Sequence, residues 1–366
     1  MIILFIFIAT AFLALLHLII YAMFVSIFAI QSPALIWTLR AIFIILWISF
    51  IYSSLLISFV NSATSRKLYL ASSIWLGLSA YLFISSFLYS IAFALSNIFS
   101  PGSNPSSFGI FLICISAVLT IYGMIHAKHI YKKEISITIP NLPLSWKNRT
   151  AVFVSDLHLG QIRGKAFAKK IADMIKSLHP NIVFIGGDLY DGVKVDVEDI
   201  IFPLSTIGAP FGTYFITGNH EEFRSSDRFT DAIRGAGIHV LANEAVNLDG
   251  LRIIGVNDKD STKTKRFEDN LAGLDIDDGE PSILLKHRPD LLSIAEKHSI
   301  SLQLSGHTHR AQIFPLNFIT KWIYRRYDYG LHSYGKMQVY TSSGAGTWGP
   351  PLRVGTRAEI VKITFI

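Results

Sequence analysis

From Met1 to Ile125 the chain holds no aspartate and no glutamate, and its only charged residues there are Arg40, Arg66 and Lys67. A region so poor in acid has no row of membrane carboxylates, which argues against an ion or proton transporter. Cysteine is nearly missing as well: Cys114, inside an apolar run, is the only one in 366 residues. The rest of the chain can therefore build neither a disulfide framework nor a thiolate zinc site, as suits a reducing compartment. No run of Lys and Arg of the nucleic-acid-binding kind occurs, and no nucleic-acid partner is expected. The formal charge is +7; without Arg40, Arg66 and Lys67, 30 basic residues stand against 26 acidic ones, a net of +4. An anionic membrane surface accounts for so mild a surplus.

What is abundant is apolar. Hydrophobic residues make up 51% of the chain and the mean hydropathy is +0.43, too apolar for an ordinary soluble enzyme. The excess sits in the first third, so the expected division is a membrane region over 1–130 and a water-soluble domain over 131–366. A spanning helix needs about 20 apolar residues, and four segments qualify, near 2–30, 41–60, 70–99 and 108–125. The first is too long and lacks the basic start of a cleaved signal peptide, so it is expected to be retained. With four spans, Arg66, Lys67, Lys128, Lys132 and Lys133 share one face and Arg40 lies on the other. The positive-inside rule then gives a multi-pass protein of the plasma (inner) membrane with its soluble domain in the cytoplasm. His17 reads as a helix-packing residue rather than an intramembrane ligand, and Arg40 as a side chain snorkelling to the headgroups.

After residue 130 short apolar runs alternate with helical stretches such as 165–178 and 197–205. The runs are "AVFV", "NIVFI", "GTYFI", "LRIIG", "SILL" and "ISLQL". Strands separated by helices of this length indicate an α/β fold. The polar residues share one position: Asp156 and His158, Asp188, Asn219 and His220, His287, and His307 and His309 each come just after an apolar run. Strand carboxyl ends form one edge of an open α/β sheet, so residues 150 positions apart can meet there. Gly186, Gly187, Gly218 and Gly306 allow tight turns at these points. Taken singly each residue is weak: a lone His after a strand is usually a loop residue, and an Asp is often a helix cap. His179, His239, His298 and His332 belong to that ordinary class, and Asp258 and Asp260 read as turn residues. Five blocks in order point instead to a metal site. Asp, Asn and His without thiols suit Mn²⁺, Fe or Zn²⁺, with Mg²⁺ also in range. In "GHTH" two histidines two apart in an extended segment would point the same way, so each could serve a different ion.

These blocks, "SDLHLG" 155–160, "GGDLYDG" 186–192, "GNHE" 218–221, His287 in "LLKHRPD" and "GHTH" 306–309, resemble the calcineurin-like metallophosphoesterases. The closing "GAGTWGPPLRVGTRAEI" is similar to the membrane-associated bacterial branch of that superfamily, although Arg310-Ala311 stands where that branch often has Gly-Gly, and the spans outnumber a single anchor. The resemblance implies a four-layer αββα sandwich, here preceded by an α-helical transmembrane region. It implies that Asp156, His158 and His309 hold one divalent ion, that Asn219, His287 and His307 hold a second, and that Asp188 bridges them. Two divalent cations against the carboxylates of Asp156 and Asp188 leave a positive site, suited to a phosphoryl group and its transition state. It further implies in-line attack by hydroxide, with His220 protonating or stabilising the leaving oxygen. Asp191 would orient His220, or be a turn residue.

The segment "IFPLNFITKWIYRRYDYG", 313–330, interleaves aromatic and basic residues. It reads either as a membrane-interface element or as a core helix with a solvated basic edge. The leading expectation is a membrane-anchored, manganese-type phosphodiesterase or pyrophosphate hydrolase. Its substrate would be membrane-associated, such as a phospholipid or a UDP-diacylglucosamine-like lipid, with the bilayer as its other partner. A phosphomonoesterase, phosphoprotein phosphatase or nuclease on the same metals, and a silent membrane scaffold, are the alternatives.

Overall fold

The computed structural model describes residues 2–60, 62–191, 195–222 and 226–366. Asn61 of the linker "NSATSRK" and Gly192, which closes "GGDLYDG", lie outside the described residues. The chain divides into two compact units, Met1–His126 with Gly349–Leu352, and Ala127–Trp348 with Arg353–Ile366.

The first unit is built from α1 (Ile2–Ile27), α2 (Pro33–Phe59), α3 (Ala63–Phe99) and α4 (Ser106–His126). Among the described residues these four are long and apolar enough to cross a membrane. Two of them begin earlier than hydropathy alone suggests. Ser32-Pro33 starts α2 eight residues before 41, because proline is preorganised for the first helical position. Ser62 and Ser65 cap each other's backbone N–H groups and start α3 at Ala63 instead of 70. Arg40 is therefore inside α2, and Arg66 and Lys67 ride the first turns of α3. Small polar residues line the helix contacts: Ser53 pairs with Ser72 at 2.6 Å and Ser85 with Ser116 at 2.9 Å. His17 is a packing residue, accepting from Trp75 Nε1 at 2.9 Å and bonded through Nδ1 to the Leu13 carbonyl.

The second unit has twelve strands among its described residues. They are β1 (Ile130–Ile137), β2 (Thr150–Val154), β3 (Ile182–Ile185), β4 (Thr213–Phe215), β5 (His239–Val240) and β6 (Glu244–Leu248), then β7 (Leu251–Gly255), β8 (Ser282–Leu285), β9 (Leu302–Ser305), β10 (Gly330–Tyr334), β11 (Met337–Thr341) and β12 (Ala358–Phe365). They form two six-stranded sheets, ordered β1-β12-β2-β3-β4-β5 and β10-β11-β9-β8-β7-β6. β2 to β5 run parallel in the first sheet; β7, β8, β9 and β11 run parallel in the second.

The period of two along a strand sorts the core into layers. Ala151, Phe153, Ile182 and Phe184 face inward and pack on Ile253, Ile283, Leu285 and Leu304 of the other sheet. Their neighbours Val152, Val154, Val183 and Ile185 face outward onto the helices Lys165–Lys176 and Val197–Ile201. On the far side Ile254, Leu284 and Val339 pack on Phe267, Leu271 and Leu292 of two further helices. The result is helix, sheet, sheet, helix: the four-layer αββα sandwich.

Candidate metal centre

The loops after β2, β3, β4, β8 and β9 carry the five sequence blocks, and all leave the carboxyl ends of parallel strands. Backbone bonds tie these loops together. Asp156 N donates to Gly187 O at 3.0 Å, His158 N to Asp188 O at 3.1 Å, and Gly306 N to His287 O at 2.9 Å. Carboxylates do the same: Asp188 Oδ1 accepts from His220 N at 2.9 Å, and Asp156 Oδ1 accepts from His307 N at 3.0 Å. A Cβ at Gly218 would run into the Asp188 carboxylate, and one at Gly306 into that of Asp156, so both positions exclude any larger residue. Asp156, His158, Asp188, His307 and His309 all take left-handed φ between 47° and 69°. That region is disfavoured for such side chains and persists where the surroundings impose it, as at functional sites.

Three groups of side chains converge. Asp156, His158 and His309 form one, Asp188, His287 and His307 another, and His158, Asp191 and His220 a third. Within the first, His158 Nε2 and His309 Nε2 are 2.9 Å apart and Asp156 Oδ1 is 3.4 Å from His309 Nε2. Asp188 Oδ2 lies 3.2 Å from His287 Nε2 and 3.9 Å from His158 Nε2, so one oxygen faces both main groups. His287 bonds the Gly186 carbonyl through Nδ1, which leaves Nε2 toward the site, buried and without a hydrogen-bond partner. Asn219 Oδ1 is likewise buried without a partner. Such stranded acceptors, beside two imidazole nitrogens turned onto each other, fit ligation of divalent cations better than hydrogen bonding.

The electrostatics divide the imidazoles: burial lowers His287, but the Asp188 and Asp156 carboxylates outweigh it and push this ring up to about 10. Burial pushes the Asp156 carboxyl up. Burial acts the same way on Asp188, but the His287, His220 and His158 imidazoles outweigh it and hold this carboxyl well below its ordinary range. Burial, aided by neighbouring positive groups, keeps His307 and His309 well below the usual imidazole value, so both are neutral donors of lone pairs.

His307 and His309 do not lie in an extended segment. β9 ends at Ser305, and His309–Ala311 is a 3₁₀ turn with His307 and His309 at positive φ. The two rings still part company, because the reversal after Gly306 sends one to each group. Arg310 and Ala311, where glycines were the pattern, also sit at positive φ, 49° and 56°, a conformation glycine would adopt without strain. Asp191 lies between two rings, 3.5 Å from His158 Nδ1 and 4.0 Å from His220 Nδ1, rather than on His220 alone. Asp258 is more than a turn residue: it is buried and makes a two-pronged pair with Arg288, the residue after His287, at 2.8 and 3.0 Å.

Three supporting groups carried no functional reading from sequence. Glu221, fully buried, accepts from the backbone N–H of Asp188, Tyr190 and Gly218 at 2.8–3.0 Å and so fastens two ligand loops to each other. Burial and the adjacent Asp188 charge push its carboxyl up to about 8. Arg353, also fully buried, donates to the Ser343, Gly344 and Gly346 carbonyls and so holds the loop whose Gly346 N reaches Asp156 O at 2.8 Å. Trp348 stands edge-on to the His220 ring, centroids 5.8 Å apart, its backbone clamped at both N–H and C=O by the Gln312 amide. "GNHE" and the closing motif contain all three; their partners are distant in sequence, so their roles had no local signal.

Within 313–330, none of the residues of the helix Asn317–Tyr324 is buried, and Phe318 and Trp322 are 60% and 83% exposed. It is not a core helix. Its last residue, Tyr324, contacts the His307 ring edge-on at 6.2 Å.

Comparison with known proteins gives a consistent picture. The model of the family described as calcineurin-like phosphoesterase matches residues 150–311. A metallophosphoesterase of Helicobacter pylori strain J99 is 34% identical over 224 residues, 60% of this chain and 60% of that one. The chain thus spans about 60% of the length of that relative. A metallophosphoesterase of Campylobacter jejuni is 32% identical over 255 residues, 68% of this chain and 67% of that one. A zebrafish (Danio rerio) transmembrane protein with metallophosphoesterase domain is 29% identical over 272 residues, covering 69% and 61%.

Proposed function

Since the chain belongs to the calcineurin-like metallophosphoesterases, we propose that it is a membrane-anchored phosphoesterase using two divalent ions. It hydrolyses a phosphodiester or pyrophosphate bond of a membrane-associated substrate. The observation that carries the two-ion reading is Asp188 Oδ2, shared between the His158 and His287 sides of the site. Asp156, His158 and His309 would hold one ion, Asn219, His287 and His307 the other, and Asp188 would serve both. The thiol-free donor set suits Mn²⁺, Fe or Zn²⁺, with Mg²⁺ in range. When bound, such a pair acts as a Lewis acid and makes hydroxide available near neutral pH.

The chain's own groups do the rest. Asp191 Oδ1 stands 3.5 Å from His158 Nδ1, placed to steer that ring as carboxylates commonly orient metal-binding histidines. His220 is the group for the leaving oxygen, where its ring donates or holds a proton. Asp191 and the Trp348 edge limit the planes that ring can take. Glu221 and Arg353 keep the loops in register.

The lipid-borne substrate is supported by the exposed Asn317–Tyr324 helix, whose apolar side chains run up to a ring touching His307. An interfacial helix of this type would seat the site at the headgroup layer, where a phospholipid or a UDP-diacylglucosamine-like lipid presents its phosphorus. For four spans, the basic residues flanking α3 and α4 favour the plasma (inner) membrane with this unit on the cytoplasmic side. Protease accessibility in right-side-out vesicles tests that sidedness; digestion of the α/β unit there would overturn it.

The direct test is turnover of a chromogenic phosphodiester and its monoester with Mn²⁺ by detergent-purified protein, beside Asp188→Ala. Diester turnover lost in the variant is the expected result. Monoester turnover alone would move the assignment to a phosphatase. No turnover of either, nor of extracted membrane lipids, would sink the hydrolase reading.

A further inference from the structure

The helical unit contains three cations, Arg40, Arg66 and Lys67, and no anion. Arg40 stands in α2, while the sequence has no Asp or Glu before Glu134 and none in Gly349–Leu352. Its guanidinium is held rather than loose: Nε donates to Tyr21 Oη at 3.2 Å, and Cζ lies 4.8 Å from the centre of the Trp37 ring. Neither contact neutralises it, and among the described residues its terminal nitrogens donate to no protein acceptor. A charge in a lipid-facing helix needs a counter-charge or water.

Beside Arg40 lies a cavity of about 530 Å³, within the span of ligand pockets generally. His17, Leu18, Tyr21, Phe43, Ile44 and Trp47 of α1 and α2 line it. The polar atoms deep in this lining are already engaged. Both His17 nitrogens have partners, and Trp47 Nε1 donates to Thr10 O at 3.1 Å. The interior therefore suits a hydrocarbon occupant, and the cation at its edge lacks a counter-charge within the helical unit.

Depth gives the occupant its direction. α2 has 27 residues, about 40 Å at 1.5 Å per residue, against a hydrocarbon core of about 30 Å, so its ends reach the headgroup layers. Arg40 is roughly 10 Å along from Pro33, near one boundary, and Trp47 is roughly 10 Å deeper. Cation at the interface and apolar hollow below it match the polarity of a membrane phospholipid. We infer that this cleft is a binding site for a single phospholipid, with its phosphate on Arg40 and an acyl chain in the cavity between α1 and α2. The residues of the helical unit alone carry this site, so it stands whether or not the proposed hydrolase activity does.

Native mass spectrometry of the full-length protein in mild detergent, titrated with dioleoylphosphatidylglycerol or dioleoylglycerol, tests it. The wild type should retain one phosphatidylglycerol through activation and should not retain the diacylglycerol, which has the same chains and no phosphate. Arg40→Gln should weaken retention about tenfold, the loss of one charge-assisted contact. Leu18→Trp, or Ala14→Trp one turn earlier in the same lining, fills the cavity and keeps the charge and should weaken it as well, while Arg66→Gln should not. Thermal unfolding confirms that each variant is folded. Equal retention by wild type and Arg40→Gln, or of both lipids by the wild type, would reduce Arg40 to a snorkelling side chain and overturn the site.

Discussion

Phe7, Trp37, Phe59 and Phe99 point outward from the helical unit, and Ser53, Ser72, Ser85 and Ser116 are buried in it. In the α/β unit Phe153, Phe184 and Phe215 are fully buried, and charged residues cover the helices around them. Water sorts side chains by hydrophobicity in the second unit, whereas lipid offers no such sorting in the first, and packing with short polar pairs takes its place. The two units also treat buried polarity differently. The helical unit buries hydroxyls, some in pairs and others on the backbone of their own helix, each net worth little. The α/β unit buries Asp156, Asp188, Glu221, His287 and Arg353 at one edge of the sandwich. That concentration costs stability and is retained at the one place where chemistry needs it.

Substitutions can sharpen or break this contrast. The largest effect should come from Asp188→Ala, which removes the oxygen shared by both ligand groups. We expect turnover to fall at least about 10³-fold, beyond the loss typical for one electrostatic donor, and metal content by elemental analysis to fall with it. His220→Gln should lower kcat about 10²-fold at unchanged metal content; loss of metal in that variant would make His220 a ligand. Glu221→Gln leaves one of three backbone N–H groups poorly met, at about 2 kcal/mol. For a unit of this size that is a Tm drop of roughly 4–8 °C by calorimetry, and no change would show that the loops hold themselves. Trp322→Ser combined with Phe318→Ser should raise KM about tenfold for a vesicle-borne substrate and leave a soluble diester unaffected. Equal effects on both would remove the interfacial role. Smallest should be Ser85→Ala, about 0.6 kcal/mol in a membrane-mimetic unfolding assay. A loss as large as that of Glu221→Gln would erase the distinction between the two kinds of buried polarity.

The metal-site blocks were legible because each is local: an apolar strand, then a turn with two or three polar residues. The layers were not legible in the strand runs, which are apolar at every position and were expected only from the family resemblance; the structure divides their side chains between two buried faces. Boundaries set by capping were no more legible. Hydropathy passes over Ser62 and Ser65, whose paired bonds start α3. The shape of the His307–His309 turn was misjudged because an extended strand was continued past Gly306, where the loop reverses instead.

Composition and periodicity thus determined that this chain has an acid-free helical region and an α/β region, and which side chains end the parallel strands. Each of those properties is a sum over near neighbours. Tertiary structure alone decided that Asp188 faces two histidine groups, and that Glu221 binds loops more than 30 residues apart. It alone placed Asp191 between two rings and set Arg40 at the edge of an apolar cleft between α1 and α2. Those outcomes depend on distances across the fold, and the strength of a charge or hydrogen bond depends on them too steeply for sequence spacing to stand in for them.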